Sequence, residues 1–221
     1  RLSLGSKSEL QKIETSTETG FNLASSDGSN LYLFSKPRRL WVFWGGQIQD
    51  FFSLKLGAGE TSVVDFSANR SSLYFLEKET GQIWRYQKLS LNEESLPLVW
   101  IQPQEKKALN AKSFQAVNGS VFVLTQDNSL WEYRGGQLFK TSSFSVFPEL
   151  KRPSKIVFSN DQTQFIVLEP SQSRIIFLDH QNQSVKQLKN SLLLNLKDAA
   201  FSSDGRFLYI LSGDRVYRYK I

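Results

Sequence analysis

The chain has 221 residues and carries 27 Lys and Arg against 21 Asp and Glu, a net charge of +6. Forty per cent of it is hydrophobic and 13% aromatic, which excludes a disordered chain. It contains no Cys, which excludes disulfides and thiolate metal sites, and no apolar run near the roughly 18 residues that cross a bilayer.

The first residues, RLSLGSKSEL, lack the apolar stretch of a signal peptide. Because the chain begins on Arg1 and has no Met, it reads as an excised domain or mature fragment. The absence of Cys favours an extracytoplasmic or cell-surface placement over a cytoplasmic one. After a small-residue turn, Glu9-Leu10-Gln11-Lys12-Ile13 alternates polar and apolar as a strand does.

A first strand is expected around Ala24, followed by the turn SSDGSN and the apolar quartet Leu31-Tyr32-Leu33-Phe34. The turn KPRR leads to a third strand, Leu40-Trp41-Val42-Phe43, and GGQIQDFFSL from Gly45 supplies a fourth. The pattern then recurs. Further quartets are Leu73-Tyr74-Phe75-Leu76, Val121-Phe122-Val123-Leu124, Phe165-Ile166-Val167-Leu168 and Leu208-Tyr209-Ile210-Leu211. Their starts lie 42, 48, 44 and 43 residues apart. Third strands follow at Ile83-Trp84-Arg85-Tyr86, Leu130-Trp131-Glu132-Tyr133, Ile175-Ile176-Phe177-Leu178 and Val216-Tyr217-Arg218-Tyr219.

The links from first strand to quartet are hairpin chemistry: SANRSS, Asn118-Gly119, SNDQTQ and SSDGRF. Fourth strands are expected at Leu96–Ile101, from Gly135 (GGQLFKTSSF) and over Asn182–Asn190. Pro97 suits an outer edge, where no ladder hydrogen bond is needed.

Four short antiparallel strands per repeat of about 44 residues is the pattern of a propeller blade. Quartets apolar at every position suit strands covered on both faces. The reading is all-β: one five-bladed β-propeller over 1–221, with blades near 20–55, 60–102, 112–142, 154–190 and 197–221. The last blade has three strands of its own. The segment 8–14 would complete it and close the ring between the termini. The alternative is a fragment of a six- or seven-bladed ring.

FSSDGRFLYIL and FSNDQTQFIVL resemble the repeat element of bacterial YVTN, NHL and TolB-like propellers. The resemblance implies the architecture and carries over no active-site residue. It also implies a setting in which such rings are exported sensor or interaction parts of membrane-anchored bacterial proteins.

His180, the one histidine, falls in a turn, so imidazole metal sites and Ser/His/Asp chemistry lack their parts. No cofactor, metal or catalytic residue is expected. A glycosidase would need two carboxylates about 5–10 Å apart. Asp65 and Asp198 are the acids of the first strands, and Asp50 lies on an outer one. Asp27, Asp161 and Asp204 read as turn formers.

Trp41, Trp84 and Trp131 share one repeat position and are expected to pack between blades. A lectin would use them, with Trp44, to stack on sugars. Trp44 and Trp100 fall outside the repeat position and read as candidates for exposure, Trp100 packing on an outer strand.

The links on one face of the ring carry clustered charge: Lys36, Arg38 and Arg39; Lys106 and Lys107; Lys151 and Arg152. They point to a basic face that meets an acidic partner, whether a protein, an anionic glycan or a headgroup layer. No aromatic-basic strip for nucleic acid is evident. The functional expectation is a monomeric, non-catalytic interaction or ligand-binding module, with no membrane insertion by this segment. A lectin is the alternative, and a glycosidase or a structural spacer stands behind it.

Overall fold

The computed structural model describes residues 21–221 apart from 28–29, 36–38, 45–46, 56–62, 70, 89–94, 106, 109, 160–162, 203 and 214. The chain is all-β, built of five small antiparallel sheets, and its fold class is the five-bladed β-propeller. No helix is long and apolar enough to cross a membrane among the described residues. Two compact units divide it, Arg1–Trp100 and Ile101–Ile221.

The first unit holds two sheets. One is β1 (Phe21–Ser26), β2 (Leu31–Ser35), β3 (Arg39–Trp44) and β4 (Gln47–Ser53), in that order. The other is β5 (Val63–Ala68), β6 (Ser72–Glu77), β7 (Ile83–Gln87) and β8 (Leu98–Val99). The fourth strand expected over Leu96–Ile101 is thus only two residues long. Pro97 has no N–H to extend the ladder backwards. Beyond β8 the ladder gains one more bond, from the Trp100 amide to the Ile83 carbonyl at 2.9 Å.

The second unit holds three sheets. They are β9 (Ala111–Val117) to β12 (Gln137–Ser143) through β10 (Ser120–Thr125) and β11 (Ser129–Arg134), then β13 (Lys155–Phe158), β14 (Gln164–Glu169), β15 (Arg174–Asp179) and β16 (Ser184–Lys189). The last is β17 (Leu196–Phe201), β18 (Phe207–Ser212) and β19 (Arg215–Lys220). Its expected fourth strand, Glu9–Ile13, and with it the closure of the ring, lies outside the described residues.

An apolar quartet suits a strand covered on both faces, and β14 shows how, whereas in the last sheet Tyr209 of β18 is exposed. Phe165 and Val167 pack toward the preceding blade, with Val117, Leu124 and Leu130. Ile166 and Leu168 pack the opposite way, with Leu196, Leu208 and Ile210 of the next. Side chains alternate along a strand, so each face needs its own apolar set. In the first unit Phe75 is the centre of the core: it stacks on Phe66 at 5.5 Å and meets Tyr86 edge-on at 5.8 Å.

Polar side chains stitch neighbouring blades at one repeated position. The Ala68 amide donates to Ser25 Oγ at 2.8 Å in the first unit. In the second, the Phe158 amide donates to Gln115 Oε1 at 2.8 Å. Ser25 and Gln115 both lie opposite the second residue of their quartets, Tyr32 and Phe122. The hairpin at Asn118-Gly119 takes positive φ at both residues, as the mirror-image turn requires.

Tyr32, Asp27 and Lys88 make a polar knot in the first unit. The Tyr32 hydroxyl donates to Asp27 at 3.1 Å, Lys88 pairs with the same carboxylate, and its ammonium lies 4.6 Å from the Tyr32 ring centroid. Burial, with the negative Asp27 beside it, pushes Tyr32 up to about 12 from 10.0. The folded chain therefore keeps a proton that the unfolded chain releases. That stabilisation is whole below pH 10 and is lost as the pH climbs toward 12. Lys88 moves the opposite way, lowered by burial, and its contribution rises with pH below 10.5. Denaturant midpoints measured across the alkaline range should decline less steeply for Tyr32→Phe than for the wild type. Equal slopes would show that the raised pKa is not coupled to folding.

Candidate functional site

The residue that closes the second strand is polar and buried in every blade: Ser35, Glu77, Thr125, Glu169 and Ser212. Four of them grip a nearby turn or link, and Ser35 holds a side chain of the next strand. Ser35 accepts from Trp41 Nε1 at 3.2 Å, and Glu77 accepts from Trp84 Nε1 at 3.2 Å and from the Thr80 hydroxyl. The Thr125 hydroxyl accepts from the Ser129 amide at 3.1 Å and donates to the Asp127 carboxylate. Ser212 donates to the Leu192 carbonyl at 2.6 Å. A buried polar group is costly unless bonded, so these bonds help fix the segments they reach.

Glu169 is the largest case and builds the candidate site. It is fully buried and pairs with Arg174, itself 3% exposed, Nε to Oε2 at 2.6 Å. Its other oxygen accepts the amides of Lys151 at 2.5 Å and Arg152 at 2.9 Å. Arg174 Nη2 donates to the carbonyls of Pro148 at 2.9 Å and Glu149 at 3.0 Å. Its Nη1 donates to Gln187 Oε1 at 2.9 Å, and Gln187 Nε2 donates to the Phe147 carbonyl at 2.8 Å. Asn128 Nδ2 holds the Leu150 carbonyl at 2.9 Å.

The link from β12 to β13 is therefore clamped along its length. Its first part runs beside β16: the Ser145 amide donates to the Asn182 carbonyl at 2.9 Å, and the Ser184 amide to the Ser145 carbonyl at 3.1 Å. Phe144, Val146 and Leu150 face the core. Phe147, Glu149, Lys151 and Arg152 face solvent. Phe147 is 89% exposed, and with Ser145, Val146, Ser184 and Gln187 it lines a shallow open cleft.

Outer strands add a second pattern. In β12 and β16 the ladder skips one residue at the same repeat position, Phe139 and Val185. A bulge re-aims the side chain it releases. Both are exposed, Val185 to 69%. Arg134 covers Phe139 with its guanidinium 3.6 Å from the ring centroid.

Of the basic residues predicted for one face, Lys151 and Arg152 are exposed on the clamped link and Lys107 is half-buried in the second unit. Arg39 is exposed at the start of β3 in the first. Lys36, Arg38 and Lys106 lie outside the described residues. Two further cations of the second unit lie near the link. Lys189, exposed, is the cross-strand partner of Arg174. Lys112 donates to Asn128 at 3.1 Å, its pKa lowered by burial against the pull of Asp127 and Glu169.

The Trp position is largely shielded from solvent. Trp41 and Trp131 are 6% and 8% exposed, and Trp84 is half-buried against the first-unit core. Trp100, read as a candidate for exposure, is buried, edge-on to Tyr74 at 5.6 Å. The contact that covers it comes from β6, the second strand of the sheet. Trp44 ends β3, and its side chain is outside the described residues.

His180 is exposed in its turn. Asp65 and Asp198 sit in β5 and β17, where each accepts the amide of the residue after it, at 2.9 and 2.7 Å. Asp198 also pairs with Lys155 at 2.8 Å. Asp27 accepts the Asn30 amide at 2.8 Å and Asp204 the Arg206 amide at 3.1 Å, so both form their turns. The Ser202 hydroxyl holds the Asp204 carboxyl below the usual range. Asp161 lies outside the described residues, as does the side chain of Asp50. No group of three or more His, Asp or Glu able to hold a metal occurs among the described residues.

No protein-family model matches the chain, and no curated protein matches it in sequence. Solved structures do match. A chain of the mitotic checkpoint complex aligns with a TM-score of 0.57 and 10% identity over 91% of this chain, which spans 61% of that one. Glutaminyl cyclase of Myxococcus xanthus aligns with a TM-score of 0.61 and 10% identity over 91% of each chain. At this identity the likeness is one of fold.

Proposed function

We propose that this propeller is a non-catalytic protein-interaction module, and that its contact surface is the link Ser145–Ser154 with the adjoining end of the β13–β16 blade. The observation that carries this reading is the clamp. A buried Glu169–Arg174 pair is spent on fixing the backbone of one link, and that link presents Lys151 and Arg152 to solvent. A surface already ordered loses little conformational entropy on binding. Functional residues concentrate on loops held by rigid scaffolds.

Charge selects the partner. Lys151, Arg152 and Lys189 are exposed at this end of the blade, with Glu149 the exposed acid of the link. Such a cluster steers an acidic protein surface and discriminates against a basic one. The buried Trp residues weaken the lectin reading, since sugar stacking needs open aromatic faces. The bonded state of Asp65 and Asp198 weakens the glycosidase reading. The FSSDGRFLYIL element supports kinship with the YVTN, NHL and TolB-like repeats and an extracytoplasmic bacterial setting.

Reversing the charge should show the surface at work. A labelled poly-glutamate peptide titrated against the full chain should bind in low salt and weaken as salt rises. The double variant K151E/R152E should lower its affinity about tenfold or more at unchanged thermal stability. Equal binding by variant and wild type would sink the assignment of this surface.

A further inference from the structure

We propose that Phe147 is an aromatic anchor, and that the segment docking on this surface carries an apolar side chain beside its carboxylates. The inference rests on the reading just given and names the chemistry of the partner. Phe147 is 89% exposed, the most exposed of the chain's large apolar side chains in the described residues. Val146 and Leu150 of the same link turn into the core, whereas the Phe147 side chain stays in solvent.

The backbone that carries the ring is also fixed in place. The Phe147 carbonyl is held by Gln187, which is itself held by Arg174, and the next carbonyls by Arg174 directly. The same guanidinium thus positions the aromatic residue and, through Glu169, the amides of Lys151 and Arg152. One rigid element displays an aromatic ring and two cations a few residues apart. Large aromatic side chains on pre-ordered loops dominate interface energetics, and cations around them set orientation.

The cleft beside the ring supplies the receiving site. Ser145, Ser184 and Gln187 give it polar walls, and Val185 bulges outward from β16 next to them. An apolar side chain of modest size buries against Phe147, while acids flanking it in sequence reach Lys151 and Arg152. A purely polar anion, such as a sulfated glycan, makes no use of the ring. A headgroup layer would engage the ring by insertion and would show no sequence preference.

The test uses the full chain and two synthetic peptides, both Glu-rich, one with a central Leu and the other with Ser in its place. Wild type should prefer the Leu peptide about tenfold. Phe147→Ala should erase the preference and keep the weaker affinity for the Ser peptide. Phe147→Leu should retain part of it, which separates loss of the ring from loss of the loop. K151E/R152E should weaken both peptides alike. If wild type binds both peptides equally, or Phe147→Ala still prefers Leu, the anchor is wrong and the basic contact surface survives. Failure of both peptides to bind would overturn the anchor and the surface together. Tighter binding to a heparin fragment or to vesicles of phosphatidylserine than to the Leu peptide would overturn the partner class.

Discussion

Replacing Arg174 with Leu should cost the fold about 3–5 kcal/mol, because it strands a fully buried carboxylate without its cation. For a domain of this size that is a fall in melting temperature of roughly 10 °C. Chemical denaturation measures it directly. The substitution also frees the carbonyls of Pro148 and Glu149 and the Gln187 amide oxygen, so hydrogen exchange should rise first along the link. Adding Glu169→Gln to the Arg174→Leu background should recover part of the loss, since a neutral amide is cheaper to bury than an unpaired charge. A cost of Arg174→Leu within about 1 kcal/mol of zero would mean that water reaches Glu169 and that the clamp is weak. The link would then be ordered by its apolar contacts alone, and the case for a pre-formed contact surface would lose its physical basis.

Phe75→Ala is the second large effect, expected at about 3–5 kcal/mol. Phe75 is fully buried and touches Phe34, Phe66 and Tyr86 at once, with centroids 5.9, 5.5 and 5.8 Å away. Removing the ring leaves a cavity walled by three other aromatics, which cannot collapse into it without leaving their rotamers. Phe75→Leu keeps most of the volume and should cost less than half as much. The comparison reads out ring packing rather than burial alone. If Phe75→Leu melts with the wild type, the aromatic cluster contributes only its area.

Much of the fold was legible because its determinants are local. The quartets at Leu31, Leu73, Val121, Phe165 and Leu208 are strands in the structure, and the Trp-bearing stretches are the strands beside them. Period-2 alternation and Asp, Asn and Gly turn chemistry act over a few residues, so a single sequence displays them. Where reading fell short, a non-local contact intervened. Trp100 offered no local sign that Tyr74 would bury it. The fourth strand of the second blade shrank to Leu98–Val99 around Pro97.

The candidate site was half legible. Lys151 and Arg152 stood out as a charged pair, yet nothing about them showed that their amides rest on a carboxylate 17 and 18 residues further on. One signal was present and unread. The residue after each quartet is Ser35, Glu77, Thr125, Glu169 or Ser212, polar in all five copies where a core strand should stay apolar. Aligning the repeats one residue further exposes the latch.

The sequence by itself determined the repeat, the strand content and the hairpins, because backbone propensity and alternation are written into neighbouring residues. Only the tertiary structure decided what the polar residues are for. Glu169 closes on Arg174 and on the link, Gln187 reaches Phe147 across 40 residues of chain, and the bulge at Val185 turns a strand residue outward. Those outcomes depend on which groups meet after the blades stack, when each buried polar atom must find a partner or forfeit its hydration.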